Sequence, residues 1–263
     1  MSQDVAKADD SQSISGDASI LDMLPKDCKM PGFWDTLGKN TDDWAPIASV
    51  SPFWRQANAS LETWKKEYRR ESGGILIKGG KLNDFVGKSG ERIEEKVLSK
   101  IRGGSNRSEI IKDIFHQSAP VPRIEDLIRT RLETQFLDGV PFLAKKLLEV
   151  AKSFDEKAKI EPKGKISGYF AQHITFSLPM HFRINGNDMS CQVVCEIQVA
   201  TMLATLVWEN SHGLYESSRI TNEKTEDWQW SPNDPRFLSR QLGHMIHLAD
   251  GLFCNLRDKS QSR

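Results

Sequence analysis

The chain has 263 residues, of which 27% are charged and 38% hydrophobic, and its 36 basic and 36 acidic side chains cancel to a formal net charge of zero. This is the composition of a globular domain. With no run of 18 or more apolar residues and a polar stretch from Met1 to Gly16, neither a membrane-spanning helix nor a secretory signal is expected.

The charge is uneven along the chain. Residues 1–61 carry 5 basic and 9 acidic groups, net −4, whereas residues 62–112 carry 13 and 8, net +5. A basic segment of this kind suits a polyanion such as a nucleoside triphosphate or RNA, although an ordinary solvated helix surface has the same composition. The four cysteines, Cys28, Cys191, Cys195 and Cys254, lack CxxC spacing, so buried thiols in a reducing cytoplasm are expected.

Residues 1–18 read as a disordered tail rich in Ser, Asp and Gln. Residues 19–72 form a Trp-rich leader followed by a helix. The leader, with Trp34 and Trp44, has weak periodicity and is expected to wrap the domain. From Ser51-Pro52 the spacing of Trp54, Leu61, Trp64 and Tyr68 is that of a helix with a core-facing stripe. Residues 73–220 are then read as the main domain and 221–263 as a C-terminal helical extension. Glu91 to Ile101 is helical and stops at Gly103-Gly104. Asp126 to Glu133 alternates as a strand, and Asp138 to Phe154 has a helix face. Strands follow at Tyr169–Leu178, Met180–Ile184 and Met189–Val199, the last two joined by Asn185-Gly186-Asn187. Thr201 to Glu216 and Asp234 to Leu256 read as helices, the second with Leu238, Leu242, Met245, Leu248 and Leu252 on one face. The expected fold class is α/β, with one mixed central sheet flanked by helices and helical extensions at both ends.

Candidate chemistry lies in three places. Asp126 opens a strand, as a turn residue or as a ligand. Glu196 lies inside the apolar run Val193 to Val199, where a carboxylate is costly unless it is paired, bound to a metal or turned to solvent. By alternation Glu196 shares a face with Gln198. Two carboxylates near phosphates are what a magnesium-dependent phosphoryl-transfer site uses. Tyr169 and His173 share a side of their strand, where an aromatic ring can stack a purine and an imidazole can hold a phosphate or ribose oxygen. Lys88, Arg92 and Lys96 recur every four residues as a cationic stripe able to neutralise a triphosphate, or as a solvated helix face.

In this order the motifs resemble the synthetase domain of the RelA/SpoT family of alarmone synthetases, from about Gly87 to Tyr215. Lys88-Ser89 with Arg92 to Lys96 is similar to KSxxSIxxK, Asp126 with Arg131 to DxxGxR, and Pro162-Lys163 with Gly168-Tyr169 and His173 to PKxxGYxSxH. Glu196 with Gln198 is similar to EIQIRT, and His212 with Tyr215 to the EHxxxY helix ending. The resemblance implies a nucleotidyltransferase-like fold and transfer of pyrophosphate from ATP to the ribose 3′-hydroxyl of GDP or GTP. It implies Asp126 and Glu196 as catalytic residues and Mg²⁺ ligands. Lys88, Arg92, Lys96 and Arg131 would bind ATP, and Lys163, Tyr169, His173 and Gln198 the acceptor. Departures are Val86 and Arg129, where the family has Arg and Gly, Ala171 for Ser, Ala200 for Arg, Thr205 for Asn and Ser211 for Glu. Alternatives are the same transfer onto tRNA 3′-CCA ends or adenine nucleotides by a toxin, and a nucleotide-binding regulator with little catalysis. The expected partners are ATP and a guanine nucleotide, with tRNA as the alternative acceptor and a second copy or an antitoxin as protein partner.

Overall fold

In the computed structural model, which describes residues 20–116, 118–164, 168–210 and 229–261, helices and strands alternate through most of the chain. They are α1 (Phe33–Ser49), α2 (Pro52–Ser72), β1 (Val86–Gly87), α3 (Gly90–Gly103), α4 (Arg107–Ile114), β2 (Ile128–Thr134), α5 (Gly139–Lys152), β3 (Lys159–Gly164), β4 (Phe170–Ile184), β5 (Asn187–Thr201) and α6 (Pro235–Gln261). A helical run also covers 202–210. The strands form one five-stranded sheet in the order β1-β2-β5-β4-β3, so the expected α/β class with a central sheet and flanking helices is what the chain adopts. The expected tail at 1–18 and the end of the expected helix Thr201–Glu216 lie outside the described residues. Among the described residues no helix is long and apolar enough to cross a membrane, and the four cysteines are free thiols.

The chain divides into two compact units. One combines Met1–Ala45, Val86–Ile128 and Leu178–Val194; the other combines Pro46–Phe85, Arg129–Ser177 and Cys195–Arg263.

In the first unit the leader does not merely wrap a core. It forms α1, whose Phe33, Leu37 and Trp44 are fully buried. Phe33 and Trp44 meet Phe182 of β4 with ring centroids 6.1 and 6.4 Å apart. Asn40 makes the attachment specific. Its side-chain amide donates to the Arg183 carbonyl (3.0 Å), its carbonyl accepts from the Arg183 N–H (2.9 Å), and Trp44 Nε1 donates to the His181 carbonyl (2.9 Å). The two strands expected at 169–178 and 180–184 are one strand, β4, running past an exposed Pro179. Its hairpin partner β5 follows Asn185-Gly186, both at positive φ (50° and 76°), the backbone that a two-residue hairpin turn requires.

In the second unit α2 starts as its sequence predicts. Ser51 Oγ accepts from the Trp54 N–H at 3.3 Å with Pro52 at the first helical position, and Gly73 caps the far end. Its stripe is core: Phe53 packs on Phe176 (4.4 Å) and Trp54 on Phe85 (4.7 Å). Each such side chain contributes about 1.5–3 kcal/mol of burial. The same unit holds an edge strand that the sequence reading missed. In β3 every described residue from Lys159 to Gly164 pairs antiparallel with β4, Lys159 opposite Thr175 through Gly164 opposite Phe170. Its alternation is polar and it contains Pro162, both marks of an edge.

Candidate functional site

The first unit builds an acid held between two cations. Lys88 follows β1, and its backbone is pinned on both sides. Its N–H donates to the Leu127 carbonyl (3.0 Å) and its carbonyl accepts from Thr41 Oγ1 (2.7 Å). From there its ammonium reaches Asp126 Oδ2 at 2.8 Å, while Lys96 of α3 reaches Oδ1 at 2.6 Å. Burial by itself would raise the Asp126 pKa, but Lys96 and then Lys88 outweigh it and hold the carboxyl at about 2. Two cations on one anion leave a net positive spot, suited to phosphate oxygens.

Arg92, which is half-exposed, pairs with Glu95 at 3.8 Å. The spacing of four that links Lys88, Arg92 and Lys96 does not extend through Lys88, because α3 begins at Gly90. Asp126 sits in the turn before β2 rather than in the strand.

The second unit builds an acid approached by an imidazole and an amide. Tyr169, directly before β4, and His173 within it meet as their spacing predicts, with Tyr169 Oη 2.9 Å from His173 Nε2. His173 Nδ1 lies 2.9 Å from Glu196 Oε2. Burial pushes the Tyr169 phenol up to about 12. In a neutral imidazole whose Nδ1–H points at the Glu196 carboxylate, Nε2 is left to accept from Tyr169 Oη. From the other side Gln198 Nε2 donates to Glu196 Oε1 at 2.6 Å, and Arg131 Nη2 donates to Gln198 Oε1 at 3.3 Å. Arg131 thereby orients the Gln198 amide, while Glu209 lies 3.7 Å from its guanidinium. The direction of donation is consistent. Tyr169 gives to His173, Arg131 gives to Gln198, and both lines end on the Glu196 carboxylate, which is 5% exposed.

Trp208, in the 202–210 helical run, is a residue that the sequence reading missed. Its ring lies 4.8 Å from that of Tyr169, tilted by 52°. Tryptophan in a helix carries no spacing signal of its own, and only the fold brings it beside β4. Thr205, one of the departures, is buried with no hydrogen-bond partner for its hydroxyl among the described residues. Lys163 lies on β3 opposite Ala171 and pairs with Glu161 at 2.5 Å. Val86 is an exposed apolar side chain. His212 and Tyr215 lie outside the described residues.

Among the described residues no three His, Cys, Asp or Glu side chains are grouped to hold a metal ion, and both Asp126 oxygens already accept from ammonium groups. A Mg²⁺ that arrives with a nucleotide takes most of its ligands from phosphate oxygens and needs few from the protein.

No family model matches the chain, and no curated protein is significantly similar to it. Among solved structures, the chain is similar to the small alarmone synthetase 1 from Bacillus subtilis, at 18% identity and a TM-score of 0.46, over 84% of this chain and 100% of that one. The same protein bound to its product pppGpp gives 16% identity and a TM-score of 0.47 over the same shares. A GTP pyrophosphokinase family protein from Streptococcus pneumoniae gives 18% identity and 0.38, over 83% of this chain and 96% of that one.

Proposed function

We propose that the chain is a divergent single-domain alarmone synthetase of the RelA/SpoT type, moving pyrophosphate from ATP to the ribose 3′-hydroxyl of GDP or GTP. The observation that carries this reading is the pair of donor lines converging on Glu196. A carboxylate held in place by hydrogen-bond donors is positioned to accept a proton from an attacking hydroxyl. In the proposed step that hydroxyl oxygen bonds to the β-phosphorus of ATP, the bond from the β-phosphorus to the bridging oxygen of AMP breaks, and the hydroxyl proton passes to Glu196. Lys88 and Lys96 hold the donor's phosphates, with Arg92 and Arg131 as further cations toward ATP. Tyr169, His173, Gln198 and Lys163 place the acceptor. Mg²⁺, with Asp126 and Glu196 as its proposed carboxylates, would neutralise phosphate charge when it comes in with the nucleotide. The residues' own contribution is positioning and fixed electrostatics, the main sources of rate in phosphoryl transfer.

A second reading is favoured by one observation. Both oxygens of Asp126 are taken by lysines, a state that suits a nucleotide-binding regulator in which phosphates displace the carboxylate without turnover.

The deciding experiment incubates the protein with Mg²⁺ and β- or γ-labelled ATP beside GDP, GTP, ADP, ATP and bulk tRNA, following label and AMP. Label on GDP or GTP is the expected result. Label on tRNA or an adenine nucleotide replaces the acceptor and keeps the chemistry. Folded protein that is thermally stabilised by nucleotide but yields no AMP establishes the regulator.

A further inference from the structure

The C-terminal helix α6 is mounted with its polar side inward. Asp250, one of its buried positions, accepts from Thr201 Oγ1 at 2.5 Å, and Arg257 holds Asp138 at 2.8 Å. His247 stacks on Phe170, with ring centroids 3.8 Å apart and planes 7° from parallel. These three anchors leave Leu238, Leu242, Leu248, Leu252 and Leu256 exposed on the other side. Under the anchored side lies a cavity of about 450 Å³, within the range of small-molecule sites. It is walled by Val140 and Pro141 of α5, Pro162 of β3, Phe170 of β4, and His247 and Gly251 of α6, all in the second unit.

This cavity is separate from the site described above. Along β5, Thr201 falls on the face opposite Glu196 and Gln198, and along β4 Phe170 and Gln172 fall on the face opposite His173. Of the residues placed in the nucleotide site, only Lys163 also borders the cavity.

The walls are mainly apolar, so the few polar groups decide what fits. Asp138 is already held by Arg257 and Tyr68, and Lys163 by Glu161. Asp250 is different. It is 2% exposed, its Oδ2 takes the Thr201 hydroxyl, and no donor among the described residues reaches its Oδ1. Burial outweighs Thr201 and His247 and raises its pKa above the ordinary carboxylate value. A buried acid with an unfilled oxygen is costly, and an occupant with an N–H donor would fill it. The stacked Phe170 and His247 give that occupant a wall suited to a planar ring.

The two glycines of α6 show that the space is kept open. Gly243 has to be glycine, because a methyl group there would strike the backbone of Gly168. At Gly251 a methyl group would meet only Leu137, at an ordinary 3.9 Å. Glycine inside a helix is destabilising relative to alanine, and at Gly251 its one effect on packing is to leave room in the cavity.

We propose that the cavity between α6 and the sheet binds a small planar ring compound, its ring against Phe170 and His247 and an N–H donated to Asp250 Oδ1. The inference stands apart from the nucleotide reading.

The test is calorimetric titration of the full chain with 2-aminobenzothiazole and with benzothiazole, which differ only in the amino group. The expected result is saturable binding of the amino compound, with benzothiazole weaker by roughly 10- to 100-fold, the scale of one hydrogen bond to a charged group. Excess GDP or ATP should leave that affinity unchanged. Asp250→Asn should narrow the difference between the two compounds. Gly251→Leu should abolish binding of both and raise the melting temperature, because it fills the space and favours the helix; it decides the matter if Asp250→Asn folds poorly. No binding of the amino compound, equal affinity for the two, binding retained by folded Gly251→Leu, or displacement by GDP or ATP would each overturn the proposal.

Discussion

The two units solve the same problem in opposite ways. Each buries a carboxylate, Asp126 at 8% exposure and Glu196 at 5%, and burial must be offset by partners. Asp126 is given two full positive charges, which fix it as an anion down to a pH of about 2. Glu196 is given an imidazole nitrogen and an amide N–H, which orient it. In the proposed function the first arrangement is a cationic spot whose acid gives way to a stronger anion, and the second is a proton acceptor. A static charge and a movable proton are different tools, and the choice of partner makes the difference.

The contrast can be broken at either acid. The largest expected effect is Glu196→Gln, which keeps the shape and removes the proton acceptor. We expect transfer to fall by roughly 10³-fold, with the melting temperature within a few degrees of wild type. A wild-type rate for AMP release would remove Glu196 from the chemistry.

The acid in the cation clamp predicts a pH signature. Its pKa is lowered in the folded state, so its stabilisation is present above the ordinary value of 3.8 and is lost as pH falls toward about 2. The loss is on the order of 2 kcal/mol. Asp126→Asn should be less stable at neutral pH and flatter between pH 4 and 2. Denaturant titrations at those pH values with parallel curves for the two proteins would contradict the clamp.

A smaller effect separates the donors to Glu196. Tyr169→Phe removes the hydroxyl that holds His173 Nε2 and keeps the ring against Trp208. We expect a loss of roughly 3- to 10-fold in kcat, the scale of one neutral hydrogen bond, with Tyr169→Ala raising the acceptor KM more than the ATP KM. The smallest effect is expected at Arg92, which pairs with Glu95 near the surface. Arg92→Ala should change the ATP KM by less than Lys96→Ala does; an equal or larger change would give Arg92 the same weight as Lys96 toward the phosphates.

Much of the site was legible because short-range periodicity decides it. Glu196 with Gln198, and Tyr169 with His173, share faces of strands whatever the rest of the chain does. The Ser51-Pro52 start of α2 and its Trp stripe were equally local. Legibility failed where position depends on what lies opposite. Spacing marks an apolar face on α6 but is silent on whether it points in or out, and three polar anchors reverse it. Pro46 and the polar residues of α1 dilute its periodicity, although Phe33 and Trp44 are core. Pro179 reads as a strand break, yet β4 runs through it. Neither the link from His173 to Glu196 nor the approach of Trp208 to Tyr169 leaves a trace in one dimension.

Gly168 and Gly243 have a last consequence. Gly168, at φ 76°, lies backbone to backbone against Gly243 of α6, so close that a methyl group on either would strike the other chain segment. Side chains elsewhere cushion one element against another, because rotamers can yield. Here there is no cushion. A shift of the helix toward this strand end therefore has no side chain to compress before it meets the residue directly before Tyr169.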